Sequence, residues 1–495
     1  MNTADFLLEI ATDDSKALID GGTARTYAEL KKAASRLAGE LAALGLSPGD
    51  RIGILGQNSL FWVASYLAVM KLSLVAVPFS TLLKPDEVIR NSQWAACKAV
   101  FMDRRQRRVF GSAFPEGVAL LCDDILESEG SSIWPETAQN FDGSVDAALM
   151  FTSGTTSIPK AVRVTHTNIQ ANTASIIAYL ELRRSDCMLV ILPFFYCFGT
   201  SLLHTHLRAG GSLALCNSFT FPESALDMME KEKCTGFAGV PSSFQLLLRI
   251  SSFKIRDLPH LRLIQQAGGK LHAVLIEELL AAKPKVKVFV MYGQTEATAR
   301  LSYLPPEDLK RKLGSIGKGI PWVALRVIGE DGKPIKPGEV GEIIANGKNI
   351  SPGYLNDPVT SAGKFIDGEL HTGDLATVDE EGYIFVVDRK EDFIKSWGYR
   401  VSSQEVESCV LGLQDIVSAA AIGVPDMAAG EAIHVFITVK PGVEFNPESA
   451  IEQCRSHLGK HMVPQKVHVI KALPLNSNGK VVKNELRKMV PGTGA

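Results

Sequence analysis

ALMFTSGTTSIPK, residues 148–160, joins a four-residue apolar run to a loop holding five hydroxyl side chains, one glycine and one lysine. The run 148–151 reads as a strand buried on both faces. The loop that leaves it, Thr152, Ser153, Gly154, Thr155, Thr156, Ser157, Ile158, Pro159 and Lys160, has the chemistry to wrap phosphates. Its backbone N–H groups and hydroxyls donate to anionic oxygens, Gly154 permits close backbone approach, and Lys160 adds a positive charge. The G-x-x-x-x-G-K-[ST] pattern is absent, which argues against a P-loop NTPase.

On both sides of this strand, similar short apolar runs recur at 51–55, 74–77, 189–192, 237–240 and 286–291, with helical segments such as 168–182 and 271–280 between them. That alternation predicts an α/β architecture with largely parallel sheets. An early helix is announced by Thr26 and Glu29 in capping-box spacing, with Leu30, Ala34, Leu37, Leu41 and Leu44 along one face and Gly45 and Pro48-Gly49 closing it. The apolar stretch 61–79 is interrupted by Ser65, Lys71, Ser73 and Pro78, so it reads as a buried helix followed by a buried strand, not a transmembrane segment. Between 326 and 346 short runs broken by Asp331-Gly332, Lys336-Pro337-Gly338 and Gly341 predict a small β-rich portion with tight turns. From 391 a separate mixed pattern begins: a helix at 403–411, strands at 417–422 and 434–439, and a helix at 447–458. The expected fold is therefore α/β: a large N-terminal domain, 1–388, of two α/β sheet layers plus a small β-rich portion, and a small α+β C-terminal domain, 389–495.

Composition narrows the function. With 495 residues, 46% hydrophobic and 21% charged, the chain has the make-up of a globular enzyme, and a net charge of -2 gives no basic footprint for a nucleic acid. The eight cysteines contain no C-x-x-C pair, which argues against a zinc cage or a disulfide framework and suits reduced thiols in the cytoplasm. The N-terminus carries Asp5 and Glu9 and no basic n-region, so a secretory signal is not expected and the mature chain is expected to start there. His204 and His206 diverge on a helix and lack a carboxylate partner, so packing roles are expected for them.

Six further motifs follow the loop: QAGGKL at 266–271, YGQTEAT at 292–298, GSIGKGIP at 314–321, HTGDL at 371–375, DRKEDFIKSWGYRVSSQEVE at 388–407 and PLNSNGK at 474–480. In this order, and over nearly the whole chain, they resemble the adenylate-forming superfamily of acyl-CoA synthetases, peptide-synthetase adenylation domains and firefly luciferase, and within it an acyl- or aryl-CoA ligase. Ser157 and Ala161 depart from the family loop, where glycines are common, and each is expected to add a side chain beside the phosphates.

The resemblance implies an ATP-dependent acid:thiol ligase that makes an acyl-AMP, releases pyrophosphate and passes the acyl group to coenzyme A. It implies ATP and Mg2+ as cofactors, with coenzyme A or the phosphopantetheine of an acyl carrier protein as acceptor. A ligase loading a carrier protein, one that hands its adenylate to a non-thiol acceptor, and a non-catalytic acyl- or nucleotide-binding module are the alternatives. By the same resemblance, residues 152–156 and Lys160 hold phosphates, Gly268 and Gly269 let backbone approach the nucleotide, and Tyr292 lies along the adenine face. Thr295 contacts phosphate and Glu296 holds Mg2+, a cation that prefers hard oxygen ligands. Asp374 accepts from both ribose hydroxyls and Arg389 reaches the ribose from the far side. Glu391 is the hinge of a mobile C-terminal domain, Trp397 and Gly398 wall the thiol channel, and Lys480 is the adenylation lysine. Nearby Lys471, Lys483 and Lys488 are expected to be solvated.

LPFFYCFG, 192–199, resembles the motif lining the acyl pocket. Tyr196 stands where many acyl-CoA ligases have histidine, and Cys197 where amino-acid-activating domains commonly have an aspartate for the substrate amine. With Phe195, Val240, Ala267, Gly293 and Gln294 completing the pocket, no formal charge is offered to an α-amine and a mostly apolar aliphatic or aryl acid is expected.

Overall fold

A computed structural model describes residues 1–111, 113–128, 134–152, 160–389 without the side chains of 388 and 389, 393–476 and 479–490. The helix announced by Thr26 spans Tyr27–Ala43, and both halves of its capping box form: Glu29 N donates to Thr26 Oγ1 at 3.2 Å and Thr26 N to Glu29 Oε2 at 2.8 Å. Leu30, Ala34, Leu37 and Leu41 are buried, whereas Leu44, expected on the same face, is the C-cap residue and is exposed, because the chain leaves the helix there.

Two large sheets organise the N-terminal part. One has six strands in the order Ala119–Cys122, Cys97–Met102, Arg51–Leu55, Val75–Phe79, Asp146–Thr152, Lys160–Thr165, parallel except for the last pair. The other has nine, and its central run Lys287–Tyr292, Leu263–Gln266, Gly236–Gly239, Cys187–Val190, Ser212–Leu215, Lys16–Asp20 is parallel throughout. The helices Tyr27–Ala43, Leu60–Lys71, His166–Leu180 and Cys197–Ala209 share one core with residues of both sheets, such as Ile52 and Ile54 from the first and Met188 and Val190 from the second. That position explains the apolar stretch 61–79. In Leu60–Lys71 every residue after Leu60 is buried, which is how a helix apolar all round behaves inside a protein. Its single charge, Lys71, is matched by Asp5 at 2.6 Å.

The β-rich portion is a five-stranded sheet in which Ala324–Ile328 pairs Gly341–Asn346, which pairs Glu369–Val378. The expected division at 388/389 falls at the end of the strand Ile384–Arg389. From Ile394 onward the chain has its own five-stranded sheet and apolar core, with helices Ser403–Leu411 and Pro447–His457 where the sequence pattern predicts them. Among the described residues no helix is long and apolar enough to cross a membrane.

Candidate active site

The phosphate-loop strand ends as expected: Asp146–Thr152 turns back into Lys160–Thr165 with Thr152 paired to Lys160. The loop residues Ser153, Gly154, Thr155 and Thr156, and Ser157 with them, lie outside the described residues. Lys160 Nζ sits 5.9 Å above the Tyr354 ring. The Ala161 side chain, expected beside the phosphates, is fully buried in the core with Leu149 and Leu355, because side chains alternate along the strand.

Strand Lys287–Tyr292 delivers the second group. Tyr292 Oη donates to Asp374 Oδ2 at 2.5 Å, joining the residue expected at the adenine to the one expected at the ribose. Burial, and the Asp374 charge after it, push the Tyr292 phenol well up, so it stays protonated and keeps donating. Gly293 follows, and a Cβ there would meet the Ala299 carbonyl oxygen at 2.0 Å, so the turn 293–299 closes on itself only with glycine at that place. The turn presents Gln294, Thr295 and Glu296. Thr295 Oγ1 donates to Cys197 Sγ at 3.5 Å, and Glu296 Oε1 accepts from Tyr354 Oη at 2.7 Å. An oriented carboxylate beside a hydroxyl suits Mg2+, which prefers hard oxygen ligands.

The acyl motif forms the third wall. Asn58 pins it, its Nδ2 donating to Leu192 O at 2.9 Å and its Oδ1 accepting from Phe194 N at 2.8 Å. Cys197 opens the helix Cys197–Ala209, and Phe195 is half-buried. Tyr196, Val240 and Gly268 converge: Gly268 has φ +87°, and a Cβ on it would lie 2.8 Å from Val240 Cγ1 and 3.1 Å from Tyr196 Oη. Gly269 packs on Pro241 and Ala267 is buried.

Lys480 reaches this same place from the far end of the chain. Gly479 O accepts from Ser242 Oγ at 3.0 Å, and a Cβ on Gly479 would lie 3.0 Å from Val240 Cγ2. Asn476 Oδ1 takes the Lys480 amide at 3.0 Å and holds the turn. The groups acting on Cys197 summarise the convergence. Burial pushes its thiol up, Thr295, Arg300 and Lys480 oppose the shift, and Glu296 adds to it. The thiol is therefore protonated at neutral pH and neither a nucleophile nor a counter-ion.

Other expected residues are not gathered here. The Arg389 side chain and Glu391 lie outside the described residues, although the Arg389 backbone is the cross-strand partner of Asp374. Trp397 (φ 55°) and Gly398 (φ 80°) form a two-residue hairpin turn between Ile394–Ser396 and Tyr399–Val401; the Trp397 amide donates to Ala429 O, within the C-terminal part. Lys483, expected to be solvated, instead donates to Ser403 Oγ at 2.6 Å and pairs with Glu407 at 3.3 Å, because its helix packs against the C-terminal sheet. Among the described residues Lys488 pairs with exposed Glu485, and Lys471 is exposed. His204 bonds Tyr66 at 3.0 Å and burial lowers its pKa to about 3.

Sequence reasoning missed four residues. Tyr354 orients Glu296, and Asn58 anchors the acyl motif. Arg249 ties the two parts of the chain, donating to Gln414 Oε1 at 2.8 Å and Leu411 O at 3.2 Å. Arg300 is buried beside the pocket. Only Arg300 carried a local signal, a cation two residues past the YGQTEAT motif.

Two parallel-sheet layers meet a separate lysine-bearing part over a strand-end pocket, and the relatives that share this chain's family are coenzyme A ligases, which makes it an AMP-forming acid:thiol ligase. The chain matches the AMP-binding enzyme family over residues 10–355 and the AMP-binding enzyme C-terminal domain over 405–480, and it belongs to that family. It is similar to a feruloyl-CoA synthase of Amycolatopsis sp., 32% identical with 95% of each chain covered. It is also similar to a long-chain-fatty-acid–CoA ligase of Mycobacterium tuberculosis, 30% identical over 94% of this chain and 93% of the relative. Among solved structures, the o-succinylbenzoate CoA synthetase of Bacillus subtilis with its acyl-adenylate intermediate superposes with a TM-score of 0.85 at 28% identity, covering 98% of both chains. ATP, Mg2+ and coenzyme A are the cofactors of this class.

Proposed function

We propose that this enzyme activates a mostly apolar aliphatic or aryl carboxylic acid as its acyl-AMP and then forms the coenzyme A thioester. The observation that carries the reading is the convergence of Lys480, from the end of the chain, on the pocket of Tyr196, Cys197, Val240, Gly268 and Thr295. In the first step a carboxylate oxygen bonds to the α-phosphorus and the bond to the β-phosphate oxygen breaks, releasing pyrophosphate. Two anions must approach, and an ammonium held between them lowers their repulsion and stabilises the developing charge. That is the role assigned to Lys480. Thr295 orients phosphate, the Tyr292–Asp374 pair holds adenosine with Arg389, and Thr152 to Thr156 with Lys160 hold the triphosphate. Glu296, fixed by Tyr354, would hold Mg2+, which when bound offsets phosphate charge. Phe195, Ala267, Gly293 and Gln294 complete the acid pocket.

In the second step the thiol sulfur bonds to the acyl carbon, the carbon–oxygen bond to AMP breaks, and the thiol proton leaves to solvent. Trp397 and Gly398 are assigned to this step, with Glu391 as the hinge that brings them in. The test is incubation with ATP, Mg2+, coenzyme A and a panel of aliphatic, aryl and amino acids, read by mass spectrometry, with Lys480→Ala alongside. Acyl-CoA from apolar acids, lost in the variant, is the expected result. Acyl-AMP without acyl-CoA would move the acceptor to a carrier-protein phosphopantetheine, and turnover of charged amino acids alone would overturn the pocket reading.

A further inference from the structure

Arg300 is 1% exposed, yet its Nε and Nη2 have no hydrogen-bond partner among the described residues. Its guanidinium carbon lies 3.9 Å above the Phe198 ring, so the aromatic face offsets part of the charge. Tyr179 hydrogen-bonds the guanidinium, and Cys197 and Tyr196 act on its charge; none of these is a carboxylate, and Nε and Nη2 are left over. Two of the three belong to the acyl pocket. Unmatched N–H donors on a buried cation are costly and rare, and each calls for a partner.

The backbone that carries this side chain is fixed by side chains from two other segments. Arg300 N donates to Asn172 Oδ1 at 3.3 Å, and Arg300 O accepts from Asn172 Nδ2 and Asn349 Nδ2, both at 3.0 Å. Its Cα would lie 2.8 Å from a Cβ on Gly293, so the turn after Tyr292 is locked on both sides. A guanidinium carried on this fixed backbone and packed on the Phe198 ring is preorganised for a ligand.

We propose that Arg300 is a specificity-determining residue that donates to an oxygen on the substrate acid remote from the reacting carboxylate. The enzyme then selects acids with an apolar body and a second oxygen acceptor, a hydroxyl, a keto group or a second carboxylate, over their plain hydrocarbon counterparts. The inference rests on the ligase reading above. Phe198 explains why the site tolerates the cation when empty, and the two unmatched donors explain why an oxygen is preferred to a methylene. A site that hydrogen-bonds a substrate oxygen discriminates against the analogue lacking it far more strongly than an apolar pocket discriminates between shapes.

The test is ATP–pyrophosphate exchange with two matched series: phenylpropanoate with its para-hydroxy and para-carboxy derivatives, and octanoate with oxo-octanoate and octanedioate. In the wild type at least one oxygen-bearing acid should exceed its parent in kcat/KM by about tenfold or more. In Arg300→Met that preference should collapse while the parent acid is retained, and Arg300→Lys should restore part of it. The hydroxy, oxo and carboxy arms separate a neutral acceptor from an anionic one. Plain hydrocarbon acids ranking first in the wild type, or Arg300→Met lowering every acid equally, would overturn the proposal while leaving the ligase reading intact. If Arg300→Met does not fold, the wild-type ranking alone decides. No exchange with any acid would overturn the ligase reading and this inference with it.

Discussion

The glycines at the two ends of the site differ sharply in surroundings. A Cβ on Gly293 would meet backbone at 2.0 Å, one on Gly199 would meet Pro193 O at 2.1 Å, and one on Gly268 would meet Val240 at 2.8 Å, whereas Gly398 has nothing within 4 Å. The first three are packed tightly within the N-terminal part and leave the pocket little freedom. Gly398 stands at an exposed turn of the C-terminal part, beside a Trp397 that is 53% exposed. The N-terminal half of the site is thus tightly packed, and the proposed function has the C-terminal half bring its groups to it. Gly479, next to Lys480, accepts from Ser242 and lies against Val240, and the interface behind it is held by Arg249 and by His272 opposite Glu407.

The largest expected break in this contrast is Lys480→Ala. Removing one preorganised charge-stabilising group costs on the order of 10²–10³ in rate, so acyl-AMP formation should fall by that factor. Thioester formation from supplied acyl-AMP should be unchanged within a few-fold, since the role proposed for Lys480 belongs to the first step alone. Equal losses in both half-reactions would place Lys480 in the folding of the part, not in its chemistry.

Gly293→Ala and Gly398→Leu sharpen the contrast from its two sides. The added methyl at 293 has no room, so overpacking should cost roughly 1–3 kcal/mol of stability, visible as a lower melting temperature, and both half-reactions should suffer. At 398 there is room but a left-handed backbone, so the strain is about 1–2 kcal/mol and the pocket is untouched. If this turn walls the thiol channel, Gly398→Leu should spare acyl-AMP formation and slow thioester formation by on the order of a hundredfold, as misplacement of one reactant does. Full thioester synthesis would remove Trp397 and Gly398 from the mechanism.

Much of this was legible in the sequence because it is local. The Thr26–Glu29 capping box, the interrupted stretch 61–79 and the helix Ser403–Leu411 each follow from neighbouring residues, and each formed as the pattern predicts. What escaped depends on partners far along the chain. Arg300 is buried because Phe198 lies under it, Lys483 is paired because Ser403 and Glu407 face it, and Tyr292 meets Asp374 across 82 positions. Spacing in one sequence carries no information about such pairs. Leu44 shows the complementary limit, since a periodic pattern runs past the residue at which the helix stops.

The smallest expected effect tests the docking contact itself. His272 is buried, and burial, with the charges of Lys270 and Lys483, lowers its pKa from 6.5 to about 4; Glu407, at 3.9 Å, does not reverse the shift. If the C-terminal part moves away, as the proposed second step requires, this imidazole regains water and its ordinary affinity for a proton. The undocked state therefore binds more protons below pH about 6.5, so docking is full above that pH and weakens as pH falls toward about 4. The ratio of acyl-AMP formation to thioester formation from supplied acyl-AMP should accordingly fall several-fold as the medium is acidified through this window. The ratio is the useful quantity, because His166, His204 and His206 are buried with pKa values lowered to about 4, 3 and 4, and their protonation loosens the N-terminal core for both half-reactions alike. His272→Gln, which keeps a polar side chain but cannot be charged, should flatten the ratio without abolishing either step. A ratio that stays constant in the wild type across this window would mean that His272 keeps the same burial in both arrangements, and that the contact opposite Glu407 is not the one that opens.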